Sequence, residues 1–148
     1  MARIAVASDH AGYELKEAVA AHLRELEHDV TDLGADSTDR VDYPDFGAAI
    51  GRAVVGGEVE MGVAVCGSGI GIAIAANKIA GVRAATVHDA TSAHLAREHN
   101  DANVLCLGER LIGPAVAIEA VDAWLGANFE GGRHSGRVEK INALLPTT

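Results

Sequence analysis

The feature that most constrains this chain is a regular alternation of two hydrophobic periods. Segments of strand length, apolar at nearly every position, are separated by segments whose apolar residues recur every three to four positions. Arg3 to Ala7 (RIAVA) is the first apolar run, and Leu15, Val19, Leu23 and Leu26 follow it at helical spacing with charged residues between. A run that is apolar throughout suits a strand buried on both faces, as in a parallel sheet, whereas a strand with one wet face alternates. The pattern continues with a short strand at Val30–Leu33 and a helix opened by Pro44 with Phe46, Ile50, Ala53 and Val54 on its apolar face. A strand at Met61–Cys66 then runs into a helix that reaches about Lys78. Val82–Val87 is the fourth strand, Thr91–Glu98 its helix, and Val104–Leu107 the fifth strand. Pro114 opens a helix through Leu125, and a last short helix carries Val138, Ile141 and Leu144 after Gly131-Gly132.

Strand–helix alternation of this kind predicts an α/β fold. The expected architecture is a three-layer α/β/α sandwich, Rossmann-like, around a five-stranded parallel sheet. With 148 residues and no linker or repeat, one domain over 1–148 is expected. A domain of this size buries roughly 68–70% of its unfolded surface and needs no staple. Aromatics are only 3%, so the core has to be built from Ala, Val, Ile and Leu.

The formal charge of −9 works against binding to nucleic acid or an anionic membrane surface. No apolar stretch reaches the ~18 residues a bilayer span requires. Two cysteines, Cys66 and Cys106, make no disulfide framework, and the N-terminus lacks a cleavable signal pattern. A cytoplasmic protein is the expectation.

In open parallel sheets, ligands bind beyond the carboxyl ends of the strands. The segments there are Ser8-Asp9-His10, Cys66 to Gly71, His88-Asp89 and Gly108-Glu109-Arg110. The strongest local signal is Cys66-Gly67-Ser68-Gly69-Ile70-Gly71, between a strand and a helix. Glycines at alternate positions let backbone amides approach an anion, either a phosphate or a developing oxyanion. A tight turn with no ligand is the plainer reading. Cys66, just before the helix, has the setting of a base or nucleophile, against the alternative of an inert strand thiol. Cys106, mid-strand between leucines, reads as inert.

Asp9 and His10 suit acid–base work or phosphate contact, with an Asp helix cap as the alternative. His99-Asn100 closes the fourth helix, either as functional residues or as a C-terminal cap. His22, His28 and His94 read as solvated. No HExxH or CxxC spacing exists, so no metal is assigned. Arg133 and Arg137, one helical turn apart, suit a phosphate through forked hydrogen bonds, with Arg110 beside them. Surface arginines paired with acids are the alternative. A dinucleotide site is disfavoured because the glycine pattern is GxGxG, with Ile72 where a third glycine would have to stand.

Five segments in register, SDHAGYELK, DYPDF, CGSGIGIAIAANKIAGVRAA, LAREHNDANVLCLGER and the closing arginines, resemble the ribose-5-phosphate isomerase type B family of sugar-phosphate isomerases. That family also includes galactose-6-phosphate isomerase subunits and enzymes acting on allose 6-phosphate. The resemblance spans essentially the whole chain. It implies a cofactor-free aldose–ketose isomerase that interconverts ribose 5-phosphate and ribulose 5-phosphate through an enediolate, in the pentose phosphate pathway. By this resemblance Cys66 matches the base, Gly67 to Gly71 the anion hole, and Ser68 a hydroxyl near the reacting carbons where relatives usually carry Thr. Asp9 and His99 match residues linked to opening the sugar ring. His10, Arg133 and Arg137 match phosphate contacts, with Arg110 beside them, Asn100 a contact to substrate oxygens, and Tyr43 a pocket wall. A second branch of the family uses a glutamate in the helix after the loop; here that position is Ile72. The resemblance also implies homodimers or dimers of dimers whose sites are built from two subunits. Two other readings stay open: a small nucleotide-binding module, and a phosphosugar sensor without turnover.

Overall fold

A computed structural model describes residues 1–146. Five strands, β1 (Arg3–Ser8), β2 (Asp29–Asp32), β3 (Met61–Cys66), β4 (Ala84–Thr86) and β5 (Val104–Gly108), form one parallel sheet in the order β2-β1-β3-β5-β4. The helices are α1 (Tyr13–Glu25), α2 (Tyr43–Val55), α3 (Ile70–Ala76), α4 (Ala90–Asn100), α5 (Pro114–Gly126) and α6 (Arg133–Leu144). A single 3-10 turn, His10–Gly12, precedes α1.

The three central strands are buried along almost their whole length, as continuous apolar runs require. Their two faces differ in size. Ile4, Val6, Val63, Val65, Leu105 and Leu107 pack with α1, α4 and α5, around the lone Trp124. Ala5, Ala7, Ala64, Cys66 and Cys106 face α2 and α3. Small residues let that second layer sit close: a Cβ on Gly47 of α2 would meet the Ile72 carbonyl oxygen of α3 at 2.7 Å. A side chain there would push the two helices apart, at a typical overpacking cost of ~1–3 kcal/mol.

Three expected boundaries shift. β2 covers Asp29–Asp32 rather than Val30–Leu33 and is mostly exposed, as an edge strand. β4 is half the expected length, three residues in place of the run from Val82 to Val87. Val82 is held in a turn by its amide to the Ile79 carbonyl, and Arg83 donates its amide to Asn103 Oδ1. The outward amide and carbonyl of Ala84 bond the Asn77 side chain at 2.8 and 2.9 Å, which occupies the sheet edge. Asn77 ends α3, short of the expected Lys78.

The chain order reverses between β1 and β3, since β2 lies outside β1 while the later strands lie on the other side. A crevice opens at their carboxyl ends, between Asp9 and Cys66. Lys16, 1% exposed, braces this end. Its ammonium bonds both Asp32 carboxylate oxygens, at 2.8 and 2.9 Å, and the Ala35 carbonyl. The Gly34-Ala35 segment in turn bonds both backbone groups of Ser8, next to Asp9.

Candidate active site

Cys66 closes β3, buried, and its sulfur accepts the Gly69 amide at 3.1 Å. That bond requires the turn the glycines supply. Gly69 has φ +74°, and a Cβ there would meet the Leu107 carbonyl carbon at 2.8 Å. Thr86 Oγ1 of β4 bonds the Gly69 carbonyl at 2.7 Å, and the Arg110 amide bonds the Gly67 carbonyl at 3.0 Å. Ser68 Oγ accepts the Ile70 amide at 3.2 Å. The loop is thus tied from three directions before any ligand arrives. The amides of Gly67, Ser68 and Gly71 are engaged by none of these contacts.

A cavity of about 610 Å³ lies over the loop, lined by Asp9, His10, Tyr43, Cys66, Gly67, Ser68, Ile70, Gly71 and Arg110, with Ala11, Ile74 and Leu111. Asp9, 5% exposed, accepts the Gly12 amide at 3.0 Å, so it caps the 3-10 turn and lines the cavity at once. His10 Nδ1 lies 3.1 Å from the Val41 carbonyl and 3.2 Å from its amide, which tethers the ring to the loop before α2. Tyr43 crosses Gly71 so closely that a Cβ would meet ring atoms at 2.6 and 2.7 Å. The Arg110 side chain lies over Gly67. Cys106, one strand away, is fully buried; burial and the neighbouring Cys66 push its thiol well above the ordinary range, so it stays protonated.

His99, Asn100, Arg133 and Arg137 do not join this cavity. A helix that connects parallel strands must run back across the sheet. α4 starts beside the carboxyl ends at Asp89 and finishes at the amino edge, where Asn103 bonds Arg83 and Gly62. Eleven helical residues span about 16 Å, so His99 and Asn100 sit a sheet-length from Cys66. α6 docks at the same end: Glu130 donates its amide to the Glu98 carbonyl. Asn100 lines a different cavity of about 430 Å³, with Arg83 and Ile141. Within one chain the candidate residues therefore fall into two groups, because helix direction separates His99, Asn100, Arg133 and Arg137 from those around Cys66. Asp101, with φ +48°, rather than Asn100 provides the left-handed cap of α4.

At this far end the rings of His99 and His134 stack, 4.4 Å between centroids and 14° between planes. His134, 6% exposed, belongs to none of the sequence motifs. Its position four residues before Val138 and seven before Ile141 on α6 is the signal that marks it as inward-facing. Burial, with Arg133 adding to it, holds its imidazole below the ordinary range and hence neutral. Arg133 and Arg137 are exposed beside it. His22, His28 and His94, expected to be solvated, each have a partner: Asp122 at 2.6 Å, the Ala2 amide at 3.2 Å and Glu98 at 2.7 Å.

The model of the family described as Ribose/Galactose Isomerase matches residues 4–141. This chain belongs to the ribose/galactose isomerase family. It is 50% identical over 144 residues to ribose-5-phosphate isomerase B of Escherichia coli K12, covering 97% of each chain. Its fold superposes on the Clostridium thermocellum ribose-5-phosphate isomerase B with a TM-score of 0.95, at 48% identity over 96% of both chains. The Mycoplasma genitalium ribose-5-phosphate isomerase B, solved with bound ribulose 5-phosphate, gives 0.93 at 42% identity over 99% of this chain and 97% of that one. The α/β architecture and the aldose–ketose isomerase assignment made from the sequence both stand. The nucleotide-module alternative drops out with them.

Proposed function

We propose that Cys66 is the base that carries the proton between C1 and C2 as the chain interconverts ribose 5-phosphate and ribulose 5-phosphate through an enediolate, in the pentose phosphate pathway. The observation that carries this reading is the Gly69 amide at 3.1 Å from the Cys66 sulfur, at the floor of the cavity. That contact holds the sulfur in place on the cavity lining, where a substrate carbon can come within its reach. No acid is available at position 72, where the neighbouring helix carries Ile.

A sugar C–H beside a carbonyl is a weak acid, so charge on the enediolate oxygen has to be met by donors already in place. The amides of Gly67, Ser68 and Gly71, with the Ser68 hydroxyl, are those donors. His10 and Arg110 take the phosphate on the cavity side and fix the reacting carbons by contacts that do not change during the reaction. Tyr43 closes the wall. Asp9 acts with His99 in opening the ring, without metal or cofactor.

His99 cannot reach Asp9 within one chain. We therefore assign the complete site to two copies, with His99, Asn100, Arg133 and Arg137 of one docking over the Cys66 cavity of the other. The rim supports this: Ile70, Ile74 and Leu111 are 53%, 58% and 57% exposed around the cavity mouth. Apolar side chains clustered at a polar site suit a protein partner. A closed, two-fold pair would use each far end once. In this reading the chain acts as a single domain over 1–148, in the cytoplasm; among the described residues no helix is long and apolar enough to cross a membrane.

The test is turnover of ribose 5-phosphate in deuterated water with chelator present. The reading expects solvent deuterium in the product, and Cys66→Ala folded but without measurable turnover. A Cys66→Ala variant within tenfold of the parent rate would remove Cys66 as the base.

A further inference from the structure

His99, Glu130 and His134 bring two imidazole nitrogens and a carboxylate oxygen within 4.8 Å of one another. We propose that these three residues form a binding site for a divalent transition-metal ion of the zinc type, and that its occupancy withdraws His99 from the isomerase reaction. The loss of activity rests on the role given to His99 above; the binding itself does not.

The donor set favours this class of ion. Two imidazoles and one carboxylate suit zinc and its neighbours, whereas calcium and magnesium take oxygen. Zinc bonds of about 2.0–2.2 Å at tetrahedral angles put neighbouring donor atoms about 3.4 Å apart. His134 Nε2 and Glu130 Oε2 already stand at 3.5 Å. They are one helical turn apart, on the approach to α6 and its first turn.

A second observation points to a ligand. His134 is buried, and its Nε2 has no hydrogen-bond partner among the described residues. A buried nitrogen left without one costs about 1–3 kcal/mol, unless something else takes it.

The surroundings support the set. Glu98 Oε1 lies 3.7 Å from His99 Nε2, and its other oxygen holds His94 at 2.7 Å. Glu98 thus adds negative charge next to the three ligands and can orient one of them. The carboxyl end of α4 adds its dipole in the same sense. Arg133 and Arg137 oppose a cation here, and the two glutamates offset them. The imidazoles are stacked rather than splayed, so ligation turns His99, the more exposed ring, while His134 stays packed.

The experiment is equilibrium dialysis of chelator-stripped protein against zinc alone, with isomerase rates measured at each concentration. The variants are Cys66→Ala and Glu130→Gln, the latter an exposed position outside the reaction. The expected result is one zinc per chain in the parent and in Cys66→Ala. In Glu130→Gln the affinity should fall at least about tenfold, while its metal-free rate equals the parent's and resists zinc. The site is overturned if the parent binds no zinc, if Glu130→Gln binds as tightly, or if Cys66→Ala abolishes binding. Zinc bound at Glu130 with the parent rate unchanged would overturn the withdrawal of His99 and count against its role in ring opening.

Discussion

Replacing Gly108 by alanine should slow the reaction far more than it destabilises the fold. Gly108 ends β5 and pairs with Cys66. A Cβ on it would meet the Ser68 carbonyl carbon at 2.6 Å, its oxygen at 2.7 Å and its Cα at 2.9 Å. All three are backbone atoms, so no side chain can swing aside. β5 lies between β3 and β4 and is buried throughout, so the loop is what yields. Restoring the carbon contact to the 3.4 Å of an ordinary one moves Ser68 by about 0.8 Å. A misplacement near 1 Å at a reacting centre costs ~10²-fold, and kcat should fall by about that factor. Overpacking should cost about 1–3 kcal/mol, a fall in Tm of several degrees for a chain this long. The assay pairs kcat for ribose 5-phosphate with unfolding followed by the fluorescence of Trp124, which lies in the opposite layer. Gly113→Ala is the control, since a Cβ there meets nothing within 4 Å. A folded Gly108→Ala protein with kcat within twofold of the parent would refute the claim that loop position limits the chemistry.

Three further outcomes are expected. Lys16→Ala should cost about 3 kcal/mol in urea unfolding, the low end for breaking a buried ion pair, because Asp32 keeps 32% of its side chain exposed. A loss below 1 kcal/mol would mean the Lys16 brace is not holding that end of the sheet. Gly71→Ala should push the Tyr43 ring, itself 43% exposed, out of the cavity and raise KM more than it lowers kcat; an unchanged KM would remove Tyr43 from the substrate wall. His134 is held below its ordinary range when folded, so the unfolded chain takes up that proton first. Its contribution is present above about pH 6.5 and is lost as pH falls below that value. The stability gap between the parent and His134→Gln should therefore narrow from pH 7.5 to pH 5.5, and a gap that widens would reverse the sign.

Much of this was legible because the local signals agreed with the fold. β1, β3 and β5 are continuous apolar runs, and all three are buried. The glycine loop after Cys66 announced a close backbone approach, and Gly69 adopts the left-handed conformation it needs. β4 is shorter than its apolar run because the Val82 amide is turned to the Ile79 carbonyl and the Val87 amide makes a last bond to Cys106 of β5, while the Asn77 side chain occupies the outer edge. The grouping of His99 and the closing arginines with Cys66 came from motif resemblance. Helix direction, available from the same alternation of elements, separates them within one chain. His134 belongs to no motif and carries only the spacing of a buried helix face.

The central claim is that one copy supplies Cys66 and another supplies His99. Co-expression of Cys66→Ala with His99→Ala, each inactive alone, tests it most directly. Random pairing makes half of the dimers mixed, and each mixed dimer has one intact site, so about a quarter of the parent activity should return. If Cys66 and His99 served the same site from one chain, no intact site could form and the co-expressed pair would stay inactive, contradicting the account.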